Sequence, residues 1–71
     1  MTDTKLLNEK IENSGYKRNY IAKAIGLKSA YGFAKKLRNE TEFKPSEINA
    51  LCKLLNIDTL EEKDRIFFVK K

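Results

Sequence analysis

Apolar residues recur along this chain at three- and four-residue intervals, interrupted by glycine, proline or a short polar cluster. That spacing puts them on one face of a helix, whereas a half-buried strand would alternate. Leu7 and Ile11 predict a first helix over residues 4–13, with Asp3 or Thr4 as N-cap and Ser14-Gly15 as its end. Ile21, Ala22 and Ile25 predict a second over about residues 17–25, stopped by Gly26, with Leu27 turning inward. Ser29 is a good N-cap for a third, residues 30–38, whose buried stripe is Phe33 and Leu37. Gly32 stands in its first turn, where the helix penalty of about 1 kcal/mol calls for a compensating reason.

Residues 39–44 form a polar loop. Pro45-Ser46 opens a fourth helix, with Ser46 as N-cap and Ile48, Leu51, Cys52 and Leu55 on one face. Thr59 and Glu62 match a capping box, so a fifth helix starts near Leu60. The run Ile66-Phe67-Phe68-Val69 either finishes that helix or turns into a short strand, since four consecutive apolar residues fit both periods. The expectation is one all-α domain over residues 1–71, with five helices and a short C-terminal strand as an option.

At 71 residues, with no histidine and one cysteine, Cys52, the chain has no intramolecular disulfide and lacks the commonest general base and zinc ligand. Cys52 falls on the apolar stripe of the fourth helix and reads as an inert core residue. No acidic pair has a base or metal-ligand partner nearby in sequence, so the reading is not an enzyme, with no cofactor. No segment has the length and apolarity of a membrane span or signal peptide, which together with the reduced cysteine implies a cytoplasmic protein.

Charge changes the picture most. The net charge is +5, but residues 16–44 hold eight Lys and Arg against Glu40 and Glu42, while residues 1–15 sum to −1 and residues 45–71 to zero. No acidic residue lies between Glu12 and Glu40. A one-sign run of this length points to a polyanion, nucleic acid first.

Two short helices meeting at Gly26, the second opening with small residues, resemble the helix-turn-helix of bacteriophage Cro and repressor proteins, in particular short Cro-like proteins of phages of Gram-positive bacteria. The residues that carry the resemblance are Ile21-Ala22, Ile25-Gly26-Leu27, Phe33, Leu37, Thr41-Glu42-Phe43-Lys44, Ser46-Glu47-Ile48, Leu54-Leu55-Asn56-Ile57 and Ile66-Phe67-Phe68, spanning residues 5–69. The chain departs from the family by one additional residue in the turn, at Lys28-Ser29.

The resemblance implies a lambda-repressor-like DNA-binding domain acting as a transcriptional repressor on double-stranded operator DNA, its third helix in the major groove. Base reading then falls to Ser29, Ala30, Tyr31, Gly32, Ala34 and Lys35: alanine methyls against thymine, Lys35 toward guanine. Phosphate contacts fall to Lys17, Arg18 and Asn19 at the start of helix two, to Lys28, and to Lys36, Arg38 and Asn39 at the far end of helix three. Reading an operator with one short helix favours a two-fold dimer, and Phe68 and Val69 are the expected contact of a weak homodimer, in solution or only on DNA. Two other readings stay open: the antitoxin of a toxin–antitoxin pair, and a protein-interaction module that keeps the fold without binding DNA. The basic run speaks against the last.

Overall fold

The computed structural model describes residues 2–69 and is all-helical there. Its elements are α1 (Thr4–Ser14), α2 (Arg18–Ala24), α3 (Ala30–Leu37), α4 (Pro45–Leu54) and α5 (Leu60–Phe67). The boundaries fall within one or two residues of those read from the apolar spacing.

The caps explain why the helices start and stop where they do. Asp3 caps α1, its carboxylate accepting from the Leu6 N–H at 3.0 Å. Ser29 and Thr59 do the same for α3 and α5, accepting from Gly32 N–H at 3.4 Å and Glu62 N–H at 3.2 Å. α4 differs from expectation. Pro45 takes its first position, Lys44 rather than Ser46 is the N-cap residue, and the Glu47 carboxylate reaches back to the Lys44 N–H at 2.9 Å.

Three helices end alike. After α2, Gly26 at φ +93° donates to Lys23 O and Leu27 to Ala22 O. After α3, Asn39 at φ +59° donates to Lys36 O and Glu40 to Lys35 O; after α4, Asn56 takes the left-handed position and Ile57 donates to Cys52 O. These are Schellman closures, built on the residue types that tolerate positive φ at least cost.

α2 packs on both α3 and α4, and α1 on α5. The core runs through every helix: Leu7 and Ile11, Ile21 and Ala22, Phe33, Ile48 and Leu51, Ile66 and Phe67, with Ile25, Phe43, Leu55 and Ile57 from the connections. Phe33, Phe43 and Phe67 form an edge-to-face series with centroids 6.1 and 5.8 Å apart, joining α3 to α5 through the loop residue Phe43. Cys52 is half-buried rather than core. It lines the groove between α4 and α5 with Asn49, Ile57, Leu60 and Lys63. Burial pushes its thiol up, with Lys63 opposing the effect and Glu62 adding to it.

The inner stripe of α3 also departs from expectation. Phe33 is fully buried, but Leu37 is only partly so, and Lys36 is buried at 8% exposure. Its ammonium lies 3.1 Å from the Glu47 carboxylate, donates to Glu42 O at 2.8 Å and sits 5.7 Å from the Phe43 ring centroid. Glu47 is itself buried at 6% exposure. Lys36 is therefore an interior link between α3 and α4 and not a phosphate contact.

The C-terminal strand does not form among the described residues. α5 continues through Phe67, burying Ile66 and Phe67 side by side, and Phe68 and Val69 follow outside it, exposed.

Removing one partner of a buried ion pair leaves the other charge desolvated and alone. Lys36→Ala should therefore cost about 3 kcal/mol or more in urea unfolding, whereas Lys36→Met combined with Glu47→Gln should cost distinctly less. Equal losses in the two variants would show that the pair carries no coupled energy.

Candidate nucleic-acid interface

The turn between α2 and α3 decides how the candidate residues are presented. The Schellman closure at Gly26 ends with Leu27, which is half-buried against the core. Lys28 follows, exposed, and then Ser29 caps α3. Lys28 thus lies ahead of the cap and outside α3, and the spacing from Ser29 to the buried Phe33 is set by the helix itself.

On the outer side of α3, Ser29 is exposed and Tyr31 is 68% exposed, while Ala30, Gly32, Ala34 and Lys35 are half-buried. Lys35 lies one turn from Tyr31, its ammonium 5.3 Å from the ring centroid. That contact is a cation–π pair that keeps both polar tips at the surface. All six residues expected to read bases belong to this one short element or its cap.

Gly32 stands out among them. It needs no unusual backbone angle, and a Cβ built on it meets nothing within 4 Å. The domain's own packing therefore does not require a glycine here, although glycine weakens a helix. What its absent side chain leaves is a smooth patch facing outward between Tyr31 and the small Ala30 and Ala34.

The residues expected to hold phosphate divide into two groups. Lys17, Arg18, Asn19, Lys28 and Arg38 are exposed. Of these, Arg18 donates to Asn8 Oδ1 at 2.9 Å and lies 3.7 Å from Glu12, so it leans back on α1. Arg38 pairs with Glu40 in the following loop. Both are surface pairs of the kind that water and salt weaken readily.

Lys36 and Asn39 form the second group, and the polar ends of both side chains already have partners within the domain. Lys36 is committed to Glu47, as described above. The Asn39 side chain is occupied at both ends by the backbone of Thr2, donating to its carbonyl at 3.0 Å and accepting from its N–H at 3.3 Å. Thr2 is buried, and the next residue, Asp3, donates to Ile66 O at 2.6 Å. Asn39 therefore straps the end of α3 to the N-terminal segment and, through it, to the end of α5. Helical spacing alone could not reveal these engagements, because the partners, Glu47 and Thr2, lie outside α3.

Other exposed residues escaped the sequence reading. Lys23 lies on the outer side of α2. Tyr16, just before the cap of α2, and Tyr20, in its first turn, lie with ring centroids 5.2 Å apart, tilted by 32°. Their four-residue spacing around Lys17-Arg18-Asn19 was the available signal.

Among the described residues no group of Cys, Asp and Glu could hold a metal ion, and no helix is long and apolar enough to cross a membrane. Comparison of the chain with protein-family models, curated proteins and solved structures finds no match.

If Gly32 serves the surface and not the fold, Gly32→Ala should stabilise the domain by about 0.5–1 kcal/mol, read as a rise in melting temperature. A destabilised Gly32→Ala variant would mean that the glycine is needed internally.

Proposed function

We propose that this chain is a sequence-specific double-stranded-DNA-binding transcriptional repressor of the Cro-like type, with α2 and α3 as its helix-turn-helix and α3 in the major groove. The observation that carries the reading is the outer side of α3. It combines a glycine the fold does not need, small neighbours that permit close approach, and Tyr31 and Lys35 as polar groups able to reach base edges. Lys17, Lys23 and Lys28 are likewise exposed and within the acid-free segment. Arg18 and Arg38 join them by exchanging a weak surface carboxylate for a phosphate.

One helix of this length spans few base pairs, so the working form is a two-fold dimer on half-sites about one helical turn apart. Phe68 and Val69, exposed beyond the end of α5, are the contact we assign to it. Repression follows from occupancy: a bound dimer excludes polymerase from an overlapping promoter.

Selection of binding sites from a random duplex library, followed by footprinting, tests the proposal. Enrichment of an inverted repeat is expected. Failure to enrich any sequence, together with capture of a protein partner, would favour an interaction module instead. On the enriched site, Tyr31→Ala and Lys35→Ala should each cost about 1–3 kcal/mol and less on random DNA. Lys28→Ala should weaken both alike, since a phosphate contact carries no sequence information.

The salt dependence is also expected to be moderate. Counting Lys17, Arg18, Lys23, Lys28 and Arg38 as the phosphate-neutralising groups, log affinity should fall with log salt at a slope of about −4.5 per subunit. A slope near zero would remove this surface as the DNA face.

A further inference from the structure

Thr2 stands where the ends of α3 and α5 meet. Its backbone holds the Asn39 side chain, donating to Oδ1 at 3.3 Å and accepting from Nδ2 at 3.0 Å. Asn39 is the left-handed residue that closes α3. The neighbouring Asp3 N–H donates to Ile66 O in the last turn of α5. Thr2 also lines a small cleft with Phe43, Phe67 and Phe68. It is buried at 8% exposure, while Phe68, which shares that cleft, is 52% exposed.

Thr2 precedes α1 and Phe68 follows α5. Outside the helices, order depends on tertiary ties. Here one tie serves two surfaces: the amide of Asn39 fixes Thr2, and Thr2 adjoins the residue assigned to the dimer contact. Ordering the junction costs conformational entropy. When either surface is engaged the junction is already ordered for the other, so the second engagement is more favourable than it would be alone.

We infer that the Asn39–Thr2 junction couples sequence reading by α3 to self-association through Phe68, with Asn39 as a positioning residue that acts through Thr2. The inference rests on the DNA-binding reading and on the Phe68 contact assigned with it. It adds that DNA binding and assembly promote each other, by the same factor in each direction. The core series Phe33, Phe43 and Phe67 also joins α3 to α5. Substitutions at Asn39 leave those rings in place, so they isolate the junction.

The test uses anisotropy of labelled duplexes carrying either the inverted repeat selected from the random library or one half of it. The ratio of the two affinities is the gain from pairing. Asn39→Gly accepts the left-handed angle but loses both bonds to Thr2. Asn39→Asp keeps an acceptor for the Thr2 N–H and loses the donor. Phe68→Ser removes the dimer contact. Melting curves establish that the variants are folded, and Asn39→Asp alone suffices if Asn39→Gly is not. The expected gain is about fivefold smaller in Asn39→Gly, intermediate in Asn39→Asp and absent in Phe68→Ser. Sedimentation without DNA should show self-association alike in the wild type and Asn39→Gly. An undiminished gain in the folded Asn39 variants would overturn the inference, leaving the DNA reading and the dimer intact. Equal losses of gain and of DNA-free self-association would also overturn it, reducing Asn39 to a support for the Phe68 surface. A gain untouched by Phe68→Ser would overturn the contact and the coupling with it. Failure of the wild type to select any site or bind a half-site would overturn the DNA reading itself.

Discussion

The arrangement of this domain depends on one buried ion pair. Lys36, in the last turn of α3, and Glu47, in the first turn of α4, meet at 3.1 Å with their side chains almost wholly out of water. Each sits where its helix favours its charge: a cation near the negative end of α3, an anion near the positive end of α4. The ammonium also binds the Glu42 carbonyl, and the carboxylate binds the Lys44 N–H, so the loop between the helices is folded around the pair. Desolvating two charges offsets most of what their attraction contributes, so the pair's main consequence is geometric. The helices can turn relative to each other only by separating charges in a medium that solvates them poorly.

Two further constraints hold α3 from other directions. At its start, the Schellman closure on Gly26 and the Ser29 cap set how the chain arrives from α2. At its end, the left-handed Asn39 directs the chain away and ties its side chain to Thr2. Phe33 anchors the middle, against Phe43. A helix of eight residues has little stability of its own. Held at both ends and along its inner face, α3 acts as a ridge whose outer residues, apart from the Ser29 cap, take no part in the core. Gly32 is the clearest case, since its open surroundings separate what the fold requires from what the surface offers.

Helix positions were legible in the sequence because the signals were local. Leu7 with Ile11, the caps Asp3, Ser29 and Thr59, and Gly15 and Gly26 act over four residues or fewer. Ser46 misled because Pro45 moved the N-cap of α4 two positions earlier, to Lys44, and Glu47 supplied the partner for the Lys44 N–H. The C-terminal run was ambiguous by composition; helical geometry, in which Ile66 and Phe67 both fall within the buried arc, settled it. Lys36 was the misread site residue, and the engagement of the exposed Asn39 was not foreseen. Their partners, Glu47 and Thr2, are 11 and 37 positions away, and no periodicity links a lysine to a carboxylate on another helix. In a basic segment every cation looks outward until the fold shows which one has an internal anion. The outer side of α3 was readable for the opposite reason: its residues have no distant partner to find.

In the function proposed, the exposed surface of α2, the turn and α3 contacts duplex DNA. Amide NMR spectra recorded during titration with a short duplex test it most directly, since each residue reports separately. Shifts are expected to concentrate in residues 16–24 and 28–38, with α4 and α5 little changed apart from residues near Phe68 if a dimer assembles. Perturbations confined to α4 and α5, or spectra unchanged at saturating DNA, would contradict it.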